Sequence, residues 1–424
     1  MVAIGSESCI FDVQYILGEK LGGQYIVVNN YPEIAQLISL HYGDIFVCVQ
    51  NEADFVSKAA LDNFQHGEAY YLASDLAGVL DAAFPIQNGL CASEIFLRVY
   101  SAPHKRFRPC SRALYSAEVD KEGDVYACCS AWQKFPIGNV LSEGLYGAWH
   151  SFYAKVLRLS ALNGTLCFCN SDICQNAEVS SEEYSYRKIT PTTWPHELNV
   201  AIDDTCNLCC RFCRTCSPKV TAEKAERRTL IAEALREDLK KISDLYFAGN
   251  GEVFLSSTYR ELIKNISPNQ NLNLVTNGQL YSNELVESLS KKCKSLSVYV
   301  SIDAATSTTY QYLRRNGDFF NLLEKLSLMK IQRVTGVISK LVFRFVVQKA
   351  NYSEMLEFIS LGRKYSADYV DFTRLVDSGS EYTKDFLNRS LLDKSGNLRW
   401  EYNDWFKNPA FRNEYVHIDS AFIK

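Results

Sequence analysis

No apolar run in this 424-residue sequence reaches the roughly 18 residues that a bilayer-spanning helix needs. Charge of one sign is missing too. With 45 Lys and Arg against 49 Asp and Glu, the net charge is −4, which gives no electrostatic case for nucleic acid or anionic membrane as a partner. The opening MVAIGSESCIFDVQYILGEK has neither the early basic residues nor the long apolar stretch of a secretory signal, so a cytoplasmic protein is expected. Gly18, Gly22 and Gly23 do not form G-x-G-x-x-G after a strand, so no dinucleotide site is assigned. Histidine is scarce, with six residues.

Cysteine is abundant by contrast. Fifteen is a heavy load for a cytoplasmic chain, where stable disulfides are rare. Five crowd into 206–216 and six into 110–174, while none follows Cys293. Such clustering lets several thiolates converge on one centre, and thiolate-rich sites favour zinc or iron–sulfur clusters. With 47% hydrophobic and 22% charged residues the chain is globular, and its length predicts two or three domains.

The C-terminal half alternates β-branched apolar runs with helix-period stretches. The runs are 197–203, 244–249, 272–277, 296–303, 341–348 and 369–376; the helical stretches are 221–242, 256–266, 282–293, 318–332 and 352–364. Six strands alternating with helices predict a parallel sheet, doubly wound or bent into a partial (β/α)6 TIM-like barrel over 190–380, with chemistry at the C-terminal strand ends. Residues 381–424 form a C-terminal extension. Residues 1–100 read as a small α/β (Rossmann-like) layer with strands near 24–30, 44–50 and 69–73 and helices at 32–42 and 53–66; scaffolding or substrate recognition suits it better than catalysis. Residues 101–180 are cysteine-dense and poorly periodic. Within them SAEV (116–119) and DVYACC (124–129) flank KEG, whose Gly123 supplies the positive φ of a tight turn. Cys128 is placed on the second strand of that hairpin, within folding reach of Cys110. Segment 175–196, rich in Glu, Ser and Thr, reads as a linker.

After the strand ELNVAID comes DTCNLCCRFCRTC, in which Cys206, Cys210 and Cys213 form C-x3-C-x2-C. Three thiolates on one loop bind three corners of a cubane and leave the fourth iron open to a small molecule. Two alternatives stay on the table. Cys206-x2-Cys209 and Cys213-x2-Cys216 make a zinc-like pair of pairs, though only three residues separate them. Cys210, Cys213 and Cys216 imitate a ferredoxin run, but Val220 stands where its fourth cysteine belongs.

The loop and its βα units resemble the radical S-adenosylmethionine superfamily, with Phe212 at the aromatic position of its C-x3-C-x-aromatic-C motif. FAGNGEVFL (247–255) is similar to the family's G-x-G-E-P segment. That implies a cofactor-binding role for Gly251 and Glu252, the carboxylate receiving the amino group of the methionine moiety; Val253 replaces the usual proline. LVTNG (274–278) matches the third strand end and points to Asn277. VSIDAA (300–305) matches the fourth, where Ser301 and Asp303 face the ribose or carboxylate. Arg314 or Arg315 in YLRRNGDF suits the methionine carboxylate.

Cys110, Cys128, Cys129, Cys167, Cys169 and Cys174, with the hairpin and FPIGNVLSEGLYGAWHS, resemble the SPASM or twitch auxiliary-cluster module. The module usually follows the barrel; here it precedes it. One auxiliary 4Fe–4S cluster is implied, on Cys110, Cys128, Cys169 and Cys174, with Cys129 and Cys167 as substitutes and a four-thiolate zinc knot as the competing reading. The resemblance implies reductive cleavage of S-adenosylmethionine by a second, catalytic 4Fe–4S cluster, an electron donor such as a flavodoxin or ferredoxin, and hydrogen abstraction from a substrate. A peptide or protein is favoured as that substrate and a carbohydrate or nucleotide-sugar is the alternative. A different class is a non-catalytic iron–sulfur or zinc-binding interaction protein.

Overall fold

The computed structural model describes residues 107–423, apart from 134, 163, 167, 172–173, 175, 181–191, 214–220, 250 and 377–384, together with four short strands nearer the N-terminus. Those four are β1 (Val2–Gly5), β2 (Ile45–Cys48), β3 (Phe64–His66) and β4 (Tyr71–Ala73), with β1 parallel to β2 and β3 antiparallel to β4. β2 and β4 fall on two expected strands. β3 falls on the end of a stretch expected to be helical, because Tyr71–Ala73 offers Phe64–His66 a ladder partner. The rest of that layer, with Gly18, Gly22 and Gly23, lies outside the described residues.

The chain forms two compact units. The first comprises 1–115, 126–138 and 147–193. Its buried anchor is Arg158, which lies 4.1 Å over the Trp149 ring and donates from Nε to Ala113 O (2.9 Å) and from Nη2 to Trp149 O (2.8 Å). Trp149 Nε1 in turn donates to Thr192 O at 2.7 Å. Arg158 lies on helix α1 (Phe152–Leu162), which also accepts Cys110 N–H at Ala161 O (2.9 Å). A buried arginine thus ties together segments that have little periodicity of their own.

The second unit comprises 116–125, 139–146 and 194–424, and is built on one large sheet. Its strands are β5 (Ser116–Asp120), β6 (Asp124–Tyr126), β7 (Gly138–Asn139), β8 (Glu197–Ala201), β10 (Asp244–Phe247), β11 (Asn271–Thr276), β12 (Ser295–Ser301), β14 (Lys340–Val347), β15 (Tyr369–Arg374) and β16 (Val416–Ile418). They lie in the order 16-15-14-12-11-10-8-5-6-7. Every pairing from β16 to β5 is parallel. The six expected strands are β8, β10, β11, β12, β14 and β15. The hairpin does turn at Gly123 (φ 84°), but β6 ends at Tyr126, so Cys128 lies in the bend beyond it and not on the strand. The hairpin's first strand, β5, joins the large sheet in parallel with β8, pairing Ser116 with Glu197 through Asp120 with Ala201.

The helices between strands are α2 (Ala222–Leu235), α3 (Ser257–Ile263), α4 (Asn283–Ser290), α5 (Ser307–Leu313), α6 (Phe319–Val334) and α7 (Met355–Lys364). Five start on a side-chain cap: Thr221, Ser256, Ser282, Thr306 and Asp318 each accept a backbone N–H of the first turn, worth about 1 kcal/mol apiece. One face of the sheet is apolar and packs on helices. Phe358 of α7 meets Phe343, Phe345 and Phe372, and Tyr259 of α3 meets Phe247. Each such fully buried side chain contributes roughly 1.5–3 kcal/mol. Because these strands run parallel, their C-terminal ends and the loops at 202–213, 248–254, 276–279 and 302–303 share one edge. No described helix is long and apolar enough to cross a membrane.

Candidate functional site

The cysteine loop begins where β8 ends. Asp203 and Asp204 are buried there and meet the buried Arg228 of α2: Nη1 stands 2.9 Å from Asp203 Oδ1 and donates to Thr205 Oγ1 (2.8 Å), while Nη2 bonds Asp204 Oδ1. Ser256 Oγ donates to Asp203 Oδ2 (2.6 Å) and Thr205 N–H to Asp203 Oδ1 (2.8 Å). No motif in the sequence singles out Arg228. In the structure it fixes the departure of the loop.

Further along, Cys209–Cys210 forms the two-residue strand β9, antiparallel to β13 (Arg314–Arg315), with Cys210 opposite Arg314 and Cys209 opposite Arg315. Arg314 Nη1 donates to Cys210 Sγ (3.8 Å), and its guanidinium lies 5.8 Å from the Phe212 ring centre. Arg315 is exposed and donates from Nε to Cys209 O (2.9 Å). Cys209 is disulfide-bonded, whereas Cys206, Cys210 and Cys213 are thiols. That leaves the C-x3-C-x2-C triplet in place and removes Cys209 as a zinc partner of Cys206. Cys216 and Val220 lie outside the described residues.

The three thiols act on one another electrostatically. Burial pushes Cys210 up to about 12, against the lowering pull of Arg314 and with raising contributions from Cys213 and Cys206. Burial raises Cys206 as well, with Glu252 and Cys213 adding to the shift. Thiols held neutral by burial ionise when a metal cation replaces the proton, so this donor set fits an iron–sulfur cluster. Leu208 N–H (3.4 Å) and Asn277 Nδ2 (3.7 Å) donate to Cys206 Sγ, the sort of contact that tunes cluster potential. Among the described residues no three Cys, His, Asp or Glu side chains stand at the spacing of a single metal ion. A cubane presents a separate iron to each thiolate, so its ligands need not.

The loop after β10 presses on the cysteine loop. A Cβ on Gly251 would sit 2.5 Å from Asp203 O, and one on Gly249 (φ 134°) 2.8 Å from Ala201 Cβ. Only glycine allows the approach that lets Glu252 N–H reach Thr205 O at 2.8 Å. Glu252 is 1% exposed and burial raises its pKa. Thr276 Oγ1 (2.6 Å) and Phe254 N–H (3.2 Å) donate to its Oε1, and Asn277 N–H (2.7 Å) to its Oε2. Asn277 Nδ2 also holds Asn207 Oδ1 (2.9 Å). Glu252, Asn277 and Cys206 therefore form one connected group.

Asp303 and Arg314, read separately from sequence as cofactor contacts, are bound to each other. Arg314 Nε donates to Asp303 Oδ2 (2.7 Å), Nη2 makes a second bond to the same oxygen, and Val346 N–H donates to Oδ1 (2.6 Å). Burial alone would lower the Arg314 pKa; Asp303, Cys210 and Tyr310 together more than offset it and keep the guanidinium charged. Asp303 adopts φ 65°, and Ser301 ends β12 with its backbone paired to Arg344.

The second cysteine group lies in the first unit. Burial pushes Cys128 up to about 11, with Arg112 lowering it and Cys110 and Cys174 raising it. Cys174 is raised by burial and likewise feels Cys110 and Arg112. Cys110, Cys128 and Cys174 are thus brought together around Arg112, a residue sequence reading passed over. Cys169 pairs in a bridge with Gln133, whose Oε1 accepts Ala127 N–H (2.9 Å), and Asn170 N–H reaches Trp132 O (2.6 Å). Trp132 and Gln133 N–H close on Cys129 O. Cys167 lies outside the described residues. Three thiols around a cation suit a cluster of net negative charge.

Residues 110–176 match the SPASM iron–sulfur cluster-binding domain. The SPASM segment contains all six cysteines of the second group. A stretch of 147 residues is 29% identical to the sporulation killing factor maturation protein SkfB of Bacillus subtilis (strain 168), covering 34% of this chain and 35% of that protein. Among solved structures, Streptococcus suis SuiB bound to precursor peptide SuiA matches at 15% identity over 57% of each chain, with a TM-score of 0.39. The anSMEcpe enzyme with bound AdoMet matches at 17% identity over 53% of this chain and 64% of that one, with a TM-score of 0.38. The chain thus spans about a third of the curated relative and less than two thirds of these structures. Likenesses this loose leave the fold to be read from the sheet itself.

Proposed function

We propose that the protein is a radical S-adenosylmethionine enzyme of the peptide-modifying kind, its large sheet a partial barrel. The observation that carries this is the convergence of Cys206, Cys210 and Cys213 with buried Glu252 and Asn277 at the C-terminal edge of parallel strands. The SPASM match and the SkfB likeness support it, as do the names of the solved neighbours, which bind S-adenosylmethionine and, for SuiB, a precursor peptide.

Cys206, Cys210 and Cys213 are the residues to hold a 4Fe–4S cluster, and Cys110, Cys128, Cys169 and Cys174 an auxiliary one. When bound, the first cluster and S-adenosylmethionine supply a 5′-deoxyadenosyl radical by reductive cleavage, the electron coming from a flavodoxin- or ferredoxin-like donor. The chain's own part is positioning. Glu252, preset by three donors, keeps acceptor capacity for an ammonium group. Gly249 and Gly251 allow its loop to lie on the cysteine loop. Asp303 holds Arg314 beside Cys210, placing a fixed cation where a carboxylate is to bind. Phe212 beneath that guanidinium keeps water from one side of it. Anaerobically reconstituted protein given S-adenosylmethionine and dithionite should release 5′-deoxyadenosine and methionine. No 5′-deoxyadenosine from protein carrying a full complement of iron would defeat the proposal.

A further inference from the structure

Sheets whose strands run parallel are ordinarily apolar on both faces. Here the face opposite the helices is polar. Alternation along each strand and the pairing of Tyr246 with Asn199, and of Asp371 with Arg344 and His417, place these side chains on one surface. Tyr299 of β12 shares it, with its ring centre 6.4 Å from that of Tyr246.

Arg344 stands out on this surface. Its guanidinium carbon lies over the Tyr299 ring, 4.6 Å from the ring centre. Its Nε is 3.7 Å from Asp371 Oδ2, beyond hydrogen-bond length, and is buried without a hydrogen-bond partner. The side chain is 36% exposed and Asp371 26%, so the pair is open to a ligand. Asn199 Oδ1 is also buried and unpartnered, although its Nδ2 donates to Glu118 (2.7 Å). One wall therefore offers an unmet donor, and another strand an unmet acceptor. Arg344 also lies two residues before Val346, whose N–H holds Asp303. That is about 7 Å along the strand from the candidate cofactor site.

We propose that Arg344 binds a carboxylate of the substrate, and that this face takes a peptide segment carrying one, either an acidic side chain or a free C-terminus. The inference rests on the reading above only for the peptide being the substrate. The cation–π contact with Tyr299 restrains the guanidinium, whose fork of N–H donors matches a carboxylate in a way an ammonium does not. Asp371 holds that fork in place without satisfying it, and gives way to a carboxylate that can lie in its plane.

The test is equilibrium binding to the anaerobically reconstituted full chain without S-adenosylmethionine. The probes are two matched pairs: Ac-Ala-Glu-Ala-NH2 against Ac-Ala-Gln-Ala-NH2, and Ac-Ala-Ala-Ala-OH against its amide. One acid should bind at least tenfold more tightly than its amide partner, and the pair that shows it identifies the source of the carboxylate. Arg344→Gln should erase the preference, Arg344→Lys should keep part of it, and Asp371→Asn should tighten the acid severalfold by removing a competitor. Equal binding within both pairs, or a preference surviving in Arg344→Gln, would overturn the proposal. If Arg344→Gln does not fold, Asp371→Asn decides, since unchanged or weaker acid binding there also overturns it. Failure of the radical reading is seen separately, as absence of 5′-deoxyadenosine from the parent protein.

Discussion

Around Cys206 and Cys210 the neighbouring charges are the carboxylates of Glu252 and Asp303 and one arginine, Arg314; around Cys128 they are Arg112 and two more thiols. The supports differ in the same way. Arg228 anchors the first group through two carboxylates, whereas Arg158 anchors the unit of the second through two carbonyls and a ring. Cluster potentials follow local net charge and hydrogen bonds to sulfur. A cluster bound amid carboxyl groups would be the harder one to reduce. A cluster beside Arg112 accepts an electron more readily. The comparison teaches that two cysteine sites in one chain, each with an arginine beside it, can differ in the carboxyl groups around them.

The largest expected effect separates the two groups outright. Ala at Cys206, Cys210 and Cys213 together should abolish 5′-deoxyadenosine formation and lower iron from about eight to about four per chain, four per cubane. In the parent, potentiometric titration should reduce the cluster of the SPASM segment first. Full iron in the triple variant, or the reverse order of reduction, would break the comparison.

Next in size come the two arginines. Arg228→Met leaves Asp203 buried without its cation and Asp204 with only Lys121, at 3.7 Å, and breaking a buried pair this way costs about 3–5 kcal/mol. Arg158→Met strands two carbonyl acceptors but no charge, and for neutral acceptors the cost is about 1 kcal/mol each, the low end of the range for an unmet group. Denaturant midpoints should therefore fall further for Arg228→Met, and the opposite ranking would show that the carboxylates are satisfied by other groups.

Glu252→Gln is expected to be smaller and specific. The amide keeps the size of the side chain and one acceptor oxygen for Thr276 and Phe254, turns an NH2 toward the Asn277 N–H, and loses the charge an ammonium group needs. A charge-assisted hydrogen bond of about 1.5–3 kcal/mol corresponds to roughly 10- to 150-fold weaker S-adenosylmethionine binding. Calorimetry should find that loss with iron content unchanged; equal affinity would remove Glu252 from the cofactor site.

How much of this was legible in the sequence follows from how local each feature is. The runs at 197–203 and 341–348 give their strands within a residue or two, because β-branched composition acts locally. The cysteine triplet and the Gly123 turn are local as well. Pairings are not. Nothing in SAEV says that it lies parallel to ELNVA, and the ladder between Cys210 and Arg314 joins residues 104 apart in the chain. The polar face escaped for a related reason. LVFRFVVQ carries one charge in an apolar run, and Arg344 gains meaning only beside Tyr299 and Asp371 from other strands. Asp303 and Arg314 are each singled out by motifs in the sequence, but their bond to one another is not legible there.

The smallest effect concerns a carboxylate with no such arginine partner. Asp120, at the hairpin tip, accepts Glu122 N–H (2.9 Å) and Asp124 N–H (3.0 Å) at Oδ1. Burial pushes its pKa up from 3.8 to about 6, the two N–H bonds pulling the other way and the Asp124 charge adding to the rise. The folded state therefore holds this proton more tightly than the unfolded chain. Between pH 3.8 and 6 the folded form binds more protons, so stability falls as pH rises through that window and the full penalty applies above it. The side chain is only partly buried, so solvent screening reduces the penalty to about 1 kcal/mol. Asp120→Asn keeps an Oδ1 acceptor for the turn and removes the charge. Its melting temperature should exceed the parent's by a few degrees at pH 7.5 and match it near pH 4. A gain of equal size at both values would locate the effect in packing, and a loss at pH 7.5 would mean that the two N–H groups need the carboxylate. Either result would place Asp120 with the paired carboxylates of the cysteine loop instead of apart from them.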